Sequence, residues 1–248
     1  MAHGKRYRKQ LERVQRDQAY PPVEAIALLK ETASANFDET VELHVLLGVN
    51  VRHAEEQLRG TLALPHGLGK DVTVAVFAQG QQARDAEAAG ADFVGGDDLA
   101  KKVEEEGWTD VDVAFSTPQM VGTVGKVGRV LGPQGKMPNP KVGTVTDDIE
   151  KAVSESKAGK VEYRTDRQAI VHMAIGKASL SPEQLLDNFS AVMEEIIRAK
   201  PSAAKGRYIV TCTLTTTMGP GIRVDASKVG DRDEVAAAPQ AAEEPVTA

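Results

Sequence analysis

The sequence predicts an α+β domain, built from both ends of the chain, with a Rossmann-like three-layer α/β domain inserted into it. Three observations carry this. Residues 71–157 alternate short, nearly continuous apolar strands with helices, the texture of a parallel sheet covered on both faces. The segments on either side instead show half-apolar, alternating strands and amphipathic helices, as in helices packed on an antiparallel sheet. Glycine-containing segments at both junctions, Pro65–Gly69 and Ala158–Lys160, fit two adjacent hinge strands. The expected division is 1–66 with 160–228, an insertion at 67–159, and a disordered acidic tail at 229–248.

In chain order, Arg6–Arg16 reads as a basic helix stopped by Pro21-Pro22, and Val23–Leu29 as a short amphipathic helix after those prolines. Thr40–Val49 alternates as a strand with one buried face. Within the insertion, Val72–Ala78, Ala91–Val94 and Val111–Phe115 read as strands. Gln81–Ala89, Asp97–Glu106 and Asp147–Lys157 read as helices, the last two started by acids that suit a helix N-terminus. Val161–Thr165 and Ala169–Ile175 suggest a hairpin around Asp166, Arg167 and Gln168. Ser181-Pro-Glu-Gln184 is a capping box opening a helix to Pro201, with Tyr208–Thr216 and Ile222–Asp225 as closing strands.

Charge is distributed unevenly. The net charge is −6, yet residues 1–16 hold six Lys/Arg against Glu12, and 160–228 hold ten basic against seven acidic residues. Segments 17–66 and 67–159 each come to −5, and the last twenty residues to −4. The basic parts therefore lie in the end-built domain, where they can steer a polyanion. No secretory leader or apolar run of membrane length is present, and Cys212 stands alone in an apolar strand as a buried thiol, so the expected compartment is the cytoplasm.

Chemistry is sparse. There is no nucleophile elbow, no zinc-protease helix, and no His/Cys pair at metal spacing, so neither catalytic residues, nor a metal, nor a cofactor is expected. His44 and His53 read as strand or surface positions. The segment Met120–Val142 is the most unusual: Gly122, Gly125, Gly128, Gly132 and Gly135 recur every three or four residues among Lys126, Arg129, Lys136 and Lys141. A nucleotide-binding enzyme using 122–136 is the rival reading. The Walker spacing fails, because Val130 and Met120 stand where its first glycine belongs, and the dinucleotide fingerprint is absent. Gly67-Leu-Gly-Lys70 suits either a phosphate cradle or a hinge.

Two segments invite recognition of folded RNA: Asn36–Glu42, with an aromatic among donors and acceptors, and Thr215–Pro220, with hydroxyls beside a flat Met-Gly surface. The competing reading packs Phe37 in the core and makes the threonines ordinary strand residues.

Six separated motifs then carry a resemblance: His3–Arg8, Phe37–Glu42, Leu64–Lys70, Ala89–Gly96, the ladder ending Met137-Pro138-Asn139-Pro140, and Thr215–Pro220. Over residues 3–225 the sequence resembles the L-one family of bacterial ribosomal proteins, found in the lateral stalk of the large subunit. The resemblance implies a two-domain protein of the assembled ribosome, monomeric when free and not membrane-bound. It implies binding to the stalk region of large-subunit rRNA, movement with exit-site tRNA, and, in many members, repression through the leader of their own mRNA. By the same resemblance the RNA contact falls on Phe37, Thr40, Glu42, Asp166, Thr211, Thr217, Met218 and Gly219, with phosphate contacts from Lys5, Arg6, Arg8 and Lys9. Gly122, Gly125, Lys126, Gly128, Arg129, Gly132, Pro133, Gly135, Lys136, Pro138, Asn139 and Pro140 form the family motif of the insertion. The acidic tail departs from the family's usual basic character.

Overall fold

The computed structural model describes residues 4–225, so the acidic tail expected at 229–248 lies outside the described residues. Chain contacts divide the protein into two compact units: residues up to Leu58 together with those from Arg164, and Arg59–Tyr163 between them.

The end-built unit contains helices α1 (Lys5–Leu11), α2 (Pro22–Thr32) and α8 (Pro182–Arg198), and strands β1 (Thr40–Leu47), β7 (Ile170–Lys177), β8 (Ile209–Thr216) and β9 (Ile222–Val224). The strands form one sheet in the order β7-β1-β8-β9, with antiparallel pairings throughout. Every second residue of β1 is buried, from Val41 to Leu47, as the period of two requires. Helices α2 and α8 cover that face, burying Ala25, Ile26 and Leu29 from one and Leu185, Phe189, Val192, Met193 and Ile196 from the other. Each fully buried large side chain stabilises the unit by roughly 1.5–3 kcal/mol. The capping box of α8 forms as expected, Ser181 accepting from Gln184 N while the Gln184 side chain accepts from Ser181 N. The opposite sheet face is not covered by these helices, and Thr40, Glu42, His44 and Leu46 of β1 line it, half-buried.

The inserted unit has the strands β3 (Val74–Phe77), β4 (Phe93–Gly95) and β5 (Val113–Ser116) in a parallel sheet of order β4-β3-β5. Helices α3 (Gln81–Ala88) and α7 (Ile149–Lys157) pack on one face, around Val74, Val76, Phe115, Ile149 and Val153. Helices α4 (Asp97–Glu106), α5 (Val121–Lys126) and α6 (Gly128–Leu131) pack on the other, around Phe77, Leu99, Val103, Val124 and Leu131. Both faces are thus apolar, which explains the continuous hydrophobic runs of β3 and β5. The expected α/β and α+β fold classes are both present.

One pairing differs from the expected hairpin. Strand β6 (Lys160–Arg164) pairs with β2 (Arg59–Ala63), whereas β7 pairs along its length with β1. Only a Thr165–Val171 bridge and the Asp166 turn link β6 to β7. That turn is tight, with Ala169 at φ 62°, and it redirects the chain between sheets. Most of the β2–β6 ribbon falls within the inserted unit, so the chain enters that unit at Arg59 and leaves it after Tyr163. The segments around Gly67 and Gly159 are adjacent, since a Cβ on Gly159 would lie 2.5 Å from Gly67 Cα, but Pro65–Gly69 forms a turn and bend rather than the strand expected there. They lie inside the inserted unit rather than at its borders.

Candidate nucleic-acid interface

Phe37 is exposed, which rules out the reading that packs it in the core. It and Met218 are the most exposed large hydrophobic residues among those described, at 55% and 60%. Neither packs into the core, so their placement needs another cause. Glu39 supplies it. This residue is 2% exposed, and its carboxylate accepts from Ser34 N at 3.0 Å, Ala35 N at 2.7 Å and Met218 N at 2.9 Å. A single buried side chain therefore ties the loop carrying Phe37 to the β8–β9 turn carrying Met218. Burial works against its charge, but the N–H donors, Met218 first, prevail and hold its carboxyl below the usual glutamate range.

The same turn is fixed from two further directions. Thr217 Oγ1 accepts from Thr40 N at 3.0 Å, and Thr217 N donates to Thr40 O at 3.1 Å. Gly219 sits so close to the preceding strand that a Cβ there would lie 2.3 Å from Thr216 Oγ1. Lys177 Nζ reaches Thr40 Oγ1 at 2.9 Å, adding a cation beside the threonines. Phe37, Thr40, Thr217, Met218 and Gly219 thus converge on one rigid corner of the sheet. At α1, Arg6 Nε donates to Ser34 Oγ at 2.6 Å, and Gln10 also bonds that hydroxyl. Arg6 thereby lies beside the Phe37 loop, while Lys5, Arg8 and Lys9 are exposed on the same helix.

Glu42 and Asp166 are joined by a chain of imidazoles that sequence reasoning missed. Glu42 Oε2 lies 3.6 Å from His44 Nε2, His44 Nδ1 lies 2.8 Å from His172 Nδ1, and His172 Nε2 lies 3.4 Å from Asp166 Oδ2. The close Nδ1 pair shares one proton, so one imidazole donates and the other accepts. Burial, then the neighbouring His172, lowers the pKa of His44, and Glu42 opposes them. Asp166 Oδ1 accepts from Gln168 N and Ile170 N, both at 2.8 Å. The Ile170 bond is the chief reason its carboxyl stays below the usual aspartate range, against burial and with Gln168 and His172 assisting. Alternation along β1 placed Glu42 and His44 on one face, but only the pairing of His44 with His172 across strands reveals the chain. Thr211 pairs with Leu46, four residues along β8 from the Glu42 partner Thr215, or ~13 Å at the rise of a strand. It belongs to the same sheet face but not to the Met218 corner.

The motif of the inserted unit reads differently from a phosphate cradle. Its glycines lie within and after α5 and α6, not in the turn between β5 and α5 where such a cradle forms. A Cβ on Gly122 or Gly125 would meet open space, and one on Gly128 would lie 3.7 Å from the Met137 side chain, an ordinary contact. A Cβ on Gly132 would lie 2.4 Å from Gly128 O, and Gly135 has φ +74°, so those two positions require glycine. Lys136 Nζ donates to Thr109 O at 2.8 Å. Lys126 and Arg129 are exposed, as are Pro133 and Pro140, whereas Pro138 is buried. Asn139 closes its turn onto Thr144, whose hydroxyl accepts from Asn139 N at 2.7 Å. Among the described residues, no group of three or more His, Cys, Asp or Glu side chains is arranged to hold a metal ion, and no helix is long and apolar enough to cross a membrane.

A model of the ribosomal protein L1p/L10e family matches residues 29–220, more than half of the chain, spanning the Phe37 loop, the insertion and the Met218 turn. The chain belongs to the ribosomal protein L1p/L10e family. As a member of the L1p/L10e family it is a structural protein of the large ribosomal subunit and binds ribosomal RNA.

Proposed function

We propose that this L1p/L10e protein binds the stalk region of large-subunit rRNA through the corner formed by Phe37, Thr40, Thr217, Met218 and Gly219. Glu42, Asp166 and Thr211 extend the contact along the open sheet face, and Lys5, Arg6, Arg8 and Lys9 add phosphate contacts. The observation that carries this reading is the exposure of Phe37 and Met218 on a backbone held rigid by buried Glu39. Exposed apolar groups on a preorganised frame suit stacking and sugar contacts with folded RNA, and the hydroxyls beside them suit 2′-OH groups. In the ribosome of the cytoplasm the protein forms the mobile stalk, moves with tRNA leaving the exit site, and represses its own mRNA by binding a similar fold in the leader. The exposed cations Lys126 and Arg129 support a tRNA-facing role for the inserted unit.

Titration of a stalk-region rRNA fragment and of the mRNA leader, each at several salt concentrations, tests this. Tight binding of both with a modest salt slope is expected, because many contacts go to sugars and base edges. A slope near that of ten phosphates, or no preference over unrelated RNA, contradicts the reading.

A further inference from the structure

An open groove of about 580 Å³ lies in the end-built unit beside the Asp166 turn, lined among others by Arg52, Arg164 and Arg167. Among the described residues, none of the three guanidinium groups has a hydrogen-bonding or ion-pairing partner. The other polar groups of the lining are already engaged within the protein. The Gln57 amide donates to Val51 O at 2.8 Å, and the Thr165 hydroxyl donates to Leu58 O at 3.3 Å. Asp166 is the single carboxylate of the lining, and its oxygens are taken by two turn N–H groups and His172. The groove therefore offers three free cationic forks against one occupied acid.

We infer that this groove is a phosphate-binding track for an RNA strand, with Arg52, Arg164 and Arg167 as its phosphate ligands. The inference rests on the RNA-binding reading of the open sheet face and extends it. Asp166 belongs to both places: it lines the groove, and through His172 and His44 it connects to Glu42. A strand crossing the sheet face can thus continue into the groove without leaving the unit. Planar guanidinium groups match phosphate oxygens two at a time, and three unpaired ones along one open groove offer more donors than a single anion needs, which suits the successive phosphates of a strand. Such contacts hold and orient the RNA without reading its sequence, complementing the Phe37–Met218 corner.

The test compares wild type with the triple variant Arg52→Gln, Arg164→Gln, Arg167→Gln, with thermal melting to show that both are folded. Each protein is titrated with the stalk-region rRNA fragment and with a scrambled RNA of equal length, between roughly 50 and 300 mM potassium chloride. Each phosphate contact contributes about 0.7–0.9 to the slope of log K against log salt, so the variant is expected to lose about 2 from the slope on both RNAs. Its preference for the stalk fragment over the scrambled RNA should persist. An unchanged slope on both RNAs overturns the track. A wild type that shows no preference for the stalk fragment sinks the sheet-face reading instead, and the groove is still judged by the slope on the scrambled RNA. Millimolar inorganic phosphate should leave binding unaffected; competition that vanishes in the triple variant would make this a single-anion site and overturn the strand assignment. An Arg→Lys triple variant, which keeps the charge, should retain most of the slope.

Discussion

Replacing Glu39 by Gln removes one charge and almost no volume, and it should uncouple the two halves of the Met218 corner. The carboxylate serves three N–H groups: Ser34 and Ala35 through Oε1, and Met218 through Oε2. An amide has one accepting oxygen. It is best used on the Ser34–Ala35 side, where two bonds survive, which turns the NH₂ group toward Met218 N and sets donor against donor. The loss is one charge-assisted hydrogen bond plus a poorly satisfied N–H, about 2–3 kcal/mol. At roughly 2–4 °C per kcal/mol for a unit of this size, Glu39→Gln should melt about 4–12 °C lower. RNA affinity should fall too, because Phe37 and Met218 must then be ordered on binding. At about 0.5–1.5 kcal/mol for each side chain immobilised, that costs about 1–3 kcal/mol, roughly five- to 150-fold in Kd.

The pH dependence carries a sign of its own. A carboxyl held below its usual range stabilises the fold fully above the ordinary glutamate pKa, and that contribution drains away as pH falls through the lower folded value. Wild type should therefore lose stability more steeply than Glu39→Gln below about pH 4.3. Melting curves from pH 7 to pH 3, with RNA titrations at neutral pH, check both arms. A Gln variant that melts and binds like wild type would refute the idea that Glu39 sets the corner.

Two further outcomes follow from buried groups. Burial pushes the Cys212 thiol up to about 12, so at pH 8 only ~1 in 10⁴ is thiolate, and thiol reagents should label the native protein only through unfolding. Rapid labelling without denaturant contradicts its burial. His44 has its pKa lowered, chiefly by burial, so it stays neutral below the ordinary imidazole range, and its contribution to stability is kept at higher pH and lost as pH falls. An NMR titration of its ring proton should give a midpoint below about 6.5, and a midpoint above that value would contradict the His44–His172 geometry.

Much of the architecture was legible because the governing signals are local. Helix α8 announces itself through Ser181, Pro182 and Gln184, and the buried parallel strands β3 and β5 through unbroken apolar runs. Strand β2 leaves little trace in the sequence because Arg59–Ala63 is half-exposed with no alternation, so the sequence points β6 toward β7 instead of its true partner. The Met218 and Phe37 segments were visible as unusual, but residue type alone did not say whether Phe37 packs inside. That depends on Glu39, whose partner Met218 N lies 179 residues away in sequence, and which looks like one more solvated acid between Asp38 and Glu42. The His44–His172 chain is equally non-local, created by strand register rather than spacing.

Footprinting of large-subunit rRNA by the full chain, wild type against Met218→Glu, decides whether the Phe37–Met218 corner is the contact with the stalk-region rRNA. Met218 is exposed, so the substitution should change stability by no more than about 0.5 kcal/mol, while its carboxylate meets the RNA at the centre of the corner. The expected result is protection of the stalk region by wild type and loss of that protection in a variant with unchanged melting temperature. Protection of the stalk by Met218→Glu at the same protein concentration, or protection of some other region by wild type, would contradict the account.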